Sequence, residues 1–241
     1  MAMRVILTNS LLKYYLLIKR RITNKLARNN KYKEINKVAK GTVLMREEKV
    51  KIIPLGGLGE IGKNITVFEC DDEIIVVDCG IAFPDEEMYG VDLIIPDISY
   101  LKNNVKKIKG IFLTHGHEDH IGSLPYVLKE VNVPIYGTKL TIGIVKTKLE
   151  EHNLLSEVKL HNVEAGDVIK FDKFKVEFIR NTHSIADSCS LAIFTPVGTI
   201  LHTGDFKIDY TPIDGETMDL QRISNLGKEG VTLLMADSTN V

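Results

Sequence analysis

The segment His115–His120 reads H-G-H-E-D-H and brings three histidines and two carboxylates together within six residues. Neutral imidazole nitrogen and carboxylate oxygen are ligands that zinc accepts, and manganese or iron accept them too. The alternative interpretation is a charged surface loop that happens to be rich in histidine. We favour a metal site because the motif constrains six positions and because further residues of the same chemical type follow downstream.

These further residues share one feature, which is that each lies at the end of a predicted strand or just after it. They are Asp78, His183, Asp205 and Asp237, and His115 itself follows the apolar run at residues 110–113. Ligands approach open α/β sheets at strand ends, where side chains from distant parts of the chain can meet. The pattern therefore predicts a single pocket that holds one or two divalent ions.

The elements that must position these residues are predicted from apolar periodicity and turn signals. We predict strands at residues 50–55, 64–70, 73–78, 105–113, 133–136, 158–163, 168–171, 174–180, 190–195, 199–203 and 231–236. The first three form an antiparallel meander, and the third is apolar on both faces and hence central. The segments 158–163, 168–171 and 174–180 are expected to be neighbouring antiparallel strands.

Two longer helices are predicted, at residues 123–131 and 138–152, and a helix begins beside Asp119 and His120. In the second long helix one apolar stripe is expected to face the core, formed by Leu140, Ile144, Val145 and Leu149. The loop at residues 80–98 is long for the interior of a domain, which is typical of a functional loop.

Composition bounds the class of protein. The chain has 241 residues, 44% of them hydrophobic, and can bury a substantial core. It has no apolar run long enough to cross a bilayer, so we expect no membrane association. The three cysteines, Cys70, Cys79 and Cys189, have no paired spacing, which favours a reducing, cytoplasmic location.

The charged residues are distributed unevenly between the first 44 residues and the rest of the chain. Residues 1–44 carry eleven Lys/Arg and one acid, which leaves 20 basic and 31 acidic residues in 45–241. The acidic body does not by itself suggest a nucleic-acid binder. The basic segment could be an organellar transit peptide or an arm that binds RNA. We favour a third interpretation, in which residues 1–44 are an untranslated leader or a disordered extension, and the working domain starts at Met45.

Several phrases of the sequence resemble one known family. They are GGLGEIGKN (56–64), VVDCG (76–80), LTHGHEDHIGSLPY (113–126), THSIADS (182–188), HTGDFK (202–207) and ADSTN (236–240). Together they resemble the metallo-β-lactamase superfamily and, within it, the β-CASP ribonucleases of the ribonuclease J type. The resemblance implies an α/β fold, the αββα sandwich. It also implies that this chain is the N-terminal part only, without the β-CASP and C-terminal parts of that family.

The resemblance also implies roles for the site residues. His115, His117 and His183 hold one Zn²⁺, Asp119 and His120 hold a second, and Asp205 bridges the two. Mn²⁺ is a possible substitute. Catalysis is assigned to Asp119, Asp205 and Asp78. The last of these hydrogen-bonds the metal-binding loop, or alternatively is an ordinary turn aspartate. Ser184 either contacts a substrate phosphate or caps its own turn.

The family's activity sets the expected function. It is metal-dependent hydrolysis of RNA phosphodiesters, both 5′-to-3′ exonucleolytic and endonucleolytic, in RNA maturation and decay in the cytoplasm. RNA is the expected partner, and the complete protein is expected to form homo-oligomers. Two rivals remain open at this point: another hydrolase on the same scaffold, such as a thioesterase or lactonase, or an inactive truncated fragment. If the chain is a fragment, its second ion should bind more weakly than its first.

Overall fold

The computed structural model describes residues 48–239. The basic segment 1–44 and the predicted start at Met45 lie outside the described residues. Within the described part the chain forms two β-sheets flanked by α-helices.

The first sheet has six strands in the order β1-β2-β3-β4-β5-β6. Strands β1 to β3 form the predicted antiparallel meander, and β3 to β6 run parallel. Every residue of β3 is buried, as its apolar sequence predicts. The strands are β1 Val50–Gly56, β2 Ile65–Cys70, β3 Glu73–Val77, β4 Ile108–Phe112, β5 Ile135–Thr138 and β6 Leu160–Val163.

The second sheet has five strands in the order β11-β10-β9-β8-β7. Neighbours are antiparallel except for β10 and β11, which are parallel. The strands are β7 Val168–Lys170, β8 Lys175–Arg180, β9 Cys189–Thr195, β10 Gly198–His202 and β11 Val231–Met235.

The α-helices of the described residues are α1 Ser99–Asn103, α2 Glu118–Ile121, α3 Leu124–Val127, α4 Lys139–Glu151 and α5 Leu220–Glu229. Leu101 of α1, Leu124 of α3 and Val145 of α4 pack with the outer face of the first sheet. On the other side of the molecule, Leu226 of α5 packs on the outer face of the second sheet.

A separate apolar core fills the space between the sheets. Phe68, Ile75 and Phe112 from the first sheet meet Phe178 and Leu191 from the second. The layers therefore run helix, sheet, sheet, helix, because each sheet has one apolar face toward its partner and another toward helices. The predicted αββα fold class is confirmed.

Three predictions about elements were wrong. The segment at residues 158–163 does not join an antiparallel group, because β6 pairs in parallel with β5 at the edge of the first sheet. The first predicted long helix is interrupted, and only Leu124–Val127 is α-helical. In α4, Leu140 is 39% exposed whereas Thr141 and Ile142 are buried, so the buried face is rotated away from the predicted stripe.

Candidate metal centre

The histidine segment occupies the turn between β4 and α2. Strand β4 ends at Phe112 and α2 begins at Glu118, so His115 and His117 lie on the connecting turn and His120 lies on the helix. Gly116 permits this turn to pack closely, because a Cβ there would come within 2.7 Å of Ile144 Cδ1. The helix is held against the loop after β3, since the amide of Cys79 donates to the His120 carbonyl at 2.7 Å.

Three imidazoles form a first group of potential ligands. His115 Nε2 lies 3.1 Å from His117 Nδ1, and His183 Nε2 lies 3.2 Å from the same His117 atom. His183 follows β8 of the second sheet, so this group joins residues carried by both sheets. Their ligand atoms all lie within 4.8 Å of one another.

A second group lies beside the first. His120 Nε2 is 3.3 Å from Asp205 Oδ1 and 3.4 Å from Asp119 Oδ2. Asp205 lies between the groups, because its other oxygen is 3.8 Å from His183 Nε2. The tightest second set is His115, His120 and Asp205, with ligand atoms within 4.8 Å of one another. Asp119 lies beside this set, in contact with His120.

Asp78 connects the turn to the ring of His120. Its carboxylate accepts the Thr114 amide at 2.8 Å and the Thr114 hydroxyl at 2.9 Å, and it lies 2.8 Å from His120 Nδ1. The backbone of Asp78 has φ 61°, a left-handed conformation that aspartate tolerates better than most residues. Because a carboxylate accepts, His120 Nδ1 carries a proton, and Nε2 faces Asp119 and Asp205.

The electrostatics of the cluster favour a cation. Burial and the neighbouring His120 lower the pKa of His115 to about 3, which leaves a neutral ring with a free lone pair. Burial alone would lower the pKa of His120, but the carboxylates of Asp78, Asp119 and Asp205 raise it well above its ordinary value. Burial alone would raise the pKa of Asp205, but the surrounding histidines, His120 foremost, lower it to about 2. The pocket therefore attracts positive charge at neutral pH.

The donor set fits a divalent metal. His117 Nδ1 faces two other ring nitrogens, and one atom cannot form a good hydrogen bond with both unless their protonation states are matched. A cation accepts lone pairs from all of these nitrogens at once. Imidazoles with carboxylates suit Zn²⁺ and Mn²⁺, so the residues of both groups are compatible with either ion.

Other candidates lie at the margin of the centre. Ser184 is exposed, and its hydroxyl lies 3.5 Å from His183 Nε2, at the outer limit of a hydrogen bond. Glu118 points away from the ligands and forms an ion pair with Lys148 of α4 at 2.8 Å. His202 accepts the Gly204 amide through Nδ1 at 3.1 Å, a structural contact that orients the turn before Asp205.

Asn64 belongs to the centre but was missed by reasoning from the sequence. Asn64 follows the glycine-rich loop, and its side-chain nitrogen lies 3.2 Å from Asp119 Oδ2 and 3.0 Å from His120 Nε2. A lone asparagine has no characteristic spacing to the histidine motif. The only signal was its position between the glycine-rich loop, from which Lys63 separates it, and a buried strand.

Comparisons with known proteins agree with this geometry. Residues 58–225 match the sequence model of the Metallo-beta-lactamase superfamily. Among curated proteins, the chain is 54% identical over 193 residues to ribonuclease J of Synechocystis sp., covering 79% of this chain and 30% of that protein. It is 53% identical over 201 residues to ribonuclease J of Thermus thermophilus, covering 80% of this chain and 35% of that protein.

A more distant relative and a solved structure extend these matches. Ribonuclease J 1 of Streptococcus pyogenes is 45% identical over 198 residues, covering 82% of this chain and 35% of that protein. The chain thus spans about a third of the length of the curated relatives it matches. A crystal structure of a protein of unknown function from Enterococcus faecalis has a TM-score of 0.61 at 19% identity, covering 80% of this chain and 50% of that one, and supports the fold.

A search of the described helices finds none that is long and apolar enough to span a membrane. The family match covers most of the chain, the layers are those expected, and the candidate ligands of both sheets converge on one place. The chain therefore belongs to the metallo-beta-lactamase superfamily.

Proposed function

We propose that this chain forms the metal-binding part of a ribonuclease of the ribonuclease J type, which hydrolyses RNA phosphodiesters. The observation that carries the proposal is the convergence of ligand-type side chains from both sheets on one pocket. The substrate class rests on the 45–54% identity to proteins named ribonuclease J over about 80% of the chain.

Each residue has a distinct role in this proposal. His115, His117 and His183 would hold one ion, Asp119 and His120 the other, and Asp205 would contact both. Zinc is the proposed metal and manganese a substitute; when bound, such ions supply Lewis acidity and an activated water. Asp78 keeps the proton of His120 on Nδ1. Ser184, which is exposed beside His183, is the proposed contact to a substrate phosphate.

The wider setting is also part of the proposal. Exonucleolytic and endonucleolytic action in RNA maturation and decay, homo-oligomerisation and a β-CASP domain in the whole protein follow from the resemblance to ribonuclease J. A cytoplasmic location is supported by Cys70, Cys79 and Cys189, which are all free and buried in the structure.

A chimera tests the substrate class. The 193-residue match of this chain would replace the corresponding segment of Synechocystis ribonuclease J, and the product would be incubated with Zn²⁺ or Mn²⁺ and 5′-monophosphorylated single-stranded RNA. We expect RNA cleavage that is lost in His183→Ala. His152→Ala is the matched control, because its ring contacts Tyr126 outside the site, and it should retain cleavage.

Parallel incubations with thioester and lactone substrates distinguish the rival hydrolases on the same scaffold. Turnover of either substrate without RNA cleavage would overturn the assignment to RNA. RNA cleavage that survives His183→Ala would overturn the proposed site.

A further inference from the structure

We propose that Asn64 is a positioning residue that sets the affinity of the second ion, held by Asp119 and His120, and leaves the first ion unaffected. This inference rests on the metal centre of the proposed function. It assigns a role to the glycine-rich loop at residues 56–62, which has no ligand-type side chain pointing into the two groups described above.

The side chain of Asn64 contacts both Asp119 and His120, the two residues proposed to hold the second ion. Its Nδ2 donates to Asp119 Oδ2 at 3.2 Å and lies 3.0 Å from His120 Nε2. The orientation of the amide follows from chemistry, since the carboxylate of Asp119 accepts and only the nitrogen of the amide donates. Among the described residues, the side-chain hydrogen bonds of Asn64 run to this pair and none runs to His117 or His183.

The backbone of Asn64 is fixed to the same helix. Its amide donates to the Asp119 carbonyl at 3.0 Å, and its carbonyl accepts the Gly80 amide at 3.0 Å. The amide of Lys63 donates to the Ile81 carbonyl at 2.7 Å. These hydrogen bonds connect the end of the glycine-rich loop to helix α2 and to the loop after β3. The side chain of Asn64 therefore has little freedom to move away from Asp119.

The glycines let the loop close over Asn64. A Cβ at Gly57 would lie 2.3 Å from Asn64 Oδ1, and φ at this position is 79°, which side-chain-bearing residues rarely adopt. A Cβ at Gly56 would lie 2.3 Å from the Lys63 carbonyl. The loop therefore has glycine where it presses on Asn64 and confines the amide to one orientation.

The contacts define what Asn64 does when an ion binds. A cation would bind through the lone pair of His120 Nε2, so the Asn64 amide nitrogen would lose its interaction with that lone pair while keeping its place beside Asp119. Its bond to the Asp119 carboxylate is compatible with an ion on the other oxygen lone pairs and keeps the carboxylate beside His120. Partners that orient ligands in this way typically change metal affinity by 10–100-fold when removed.

Metal titration of the 241-residue chain tests the proposal. Asn64→Ala removes the side chain, and Asn64→Leu keeps an approximately similar volume under the loop without a donor. Binding of Zn²⁺ is followed by competition with a chromophoric chelator, and Co²⁺ absorption reports the coordination of each ion. Asn132→Ala is the matched control, because its amide bonds the Glu157 carbonyl away from the centre.

We expect both Asn64 variants to bind the first ion like the native chain and the second about 10–100-fold more weakly. The Asn132→Ala chain should bind both ions normally. Normal affinity for the second ion in both Asn64 variants would overturn the role of Asn64. An equal loss of affinity for both ions would also overturn it, because it would indicate a merely structural role. A native chain that binds no divalent ion would instead overturn the proposed metal centre.

Discussion

At the scale of single residues, Asp78 contacts Nδ1 of His120 and leaves Nε2 facing Asp119 and Asp205. Its carboxylate accepts two hydrogen bonds from Thr114 and lies 2.8 Å from His120 Nδ1. Asp78→Asn keeps the size of the side chain and tolerates the left-handed backbone. The new asparagine can, however, turn its NH₂ group toward His120 Nδ1. Nδ1 would then accept a hydrogen bond, and the ring proton would lie on Nε2 instead.

We therefore expect Asp78→Asn to lower the affinity of the chain for the second ion by about 10–100-fold while the chain stays folded. The measurement is the same chelator competition, accompanied by circular dichroism. Asp172→Asn, in an exposed turn between β7 and β8, is the control for loss of one negative charge. Unchanged affinity in Asp78→Asn would mean that His120 does not depend on Asp78 for its tautomer.

Most of the candidate ligands could be predicted from the sequence. The segment His115–His120 places imidazoles and carboxylates on a strand-to-helix turn, and His183 and Asp205 follow strands that end at the same edge. The roles of Asn64 and Thr114 could not be predicted. Each acts through hydrogen bonds that exist only once the glycine-rich loop and β4 have packed against helix α2.

At the scale of elements, helix α2 is positioned by backbone packing against the loop after β3. A Cβ at Gly80 would lie 1.5 Å from the Asp119 carbonyl oxygen and 2.7 Å from the His120 amide nitrogen. We expect Gly80→Ala to destabilise the chain by more than about 3 kcal/mol and to abolish binding of the second ion, because the helix must move.

Gly143→Ala is the matched control for Gly80→Ala. Gly143 lies within α4, and a Cβ there meets nothing within 4 Å. The same substitution should raise stability by about 0.5–1 kcal/mol, because alanine is the better helix former. Urea denaturation measures both effects. A Gly80→Ala chain as stable as the native one would contradict the close packing of α2.

A second element-scale device is the buried carboxylate of Glu69, which joins β2 to α1 and to β1. It accepts from the Tyr100 hydroxyl, from Lys51 Nζ at 2.9 Å and from Lys107 Nζ at 3.1 Å. Burial alone would raise the pKa of Glu69, but these hydrogen bonds outweigh it and lower the pKa below its ordinary value.

A carboxyl with a lowered folded-state pKa stabilises the fold above its unfolded pKa of about 4.3, and the contribution is lost as pH falls through the lower folded value. We expect Glu69→Gln to cost about 2 kcal/mol at pH 7, as for a hydrogen bond to a charged group. The difference in the free energy of unfolding between Glu69→Gln and the native chain should shrink as the pH is lowered below 4. Urea midpoints at pH 7, 5 and 3.5 measure this, and a gap independent of pH would contradict the ionised role of Glu69.

The element predictions that failed did so for physical reasons. The turn after β6 has the composition of a hairpin turn, but β6 pairs with β5, which is distant in sequence, and such pairing leaves no local pattern. The hydroxyl of Thr138, at the end of β5, donates to the hydroxyl of Thr141 in α4 at 3.0 Å, so a polar residue is accommodated on the buried face of the helix. An analysis of apolar periodicity counts apolar residues only, so it cannot detect a buried threonine whose hydroxyl is hydrogen-bonded.

At the scale of the whole molecule, the candidate metal centre lies where the two sheets meet. His115, His117 and His120 follow β4 of the first sheet, whereas His183 and Asp205 follow β8 and β10 of the second. The core between the sheets supplies the remaining connection, with Phe112 stacked on Tyr136 at 4.9 Å between ring centroids and tilted toward Phe178 at 6.1 Å. Bound ions would therefore link the sheets directly.

This arrangement predicts that metal binding stabilises the sandwich as a unit. A ligand that binds only the folded state, present at about 100 times its Kd, adds about 2.7 kcal/mol, which for a domain of this size raises Tm by roughly 5–10 °C. We expect Zn²⁺ to produce such a shift in the native chain and a chelator to reverse it. In His183→Ala the shift should be clearly smaller, because the first ion loses one of its two proposed ligands from the second sheet and keeps only Asp205 there. His152→Ala, which removes an imidazole away from the centre, should respond to metal like the native chain. Differential scanning calorimetry with and without Zn²⁺ measures all three, and an equal shift in His183→Ala would mean that His183 does not hold an ion.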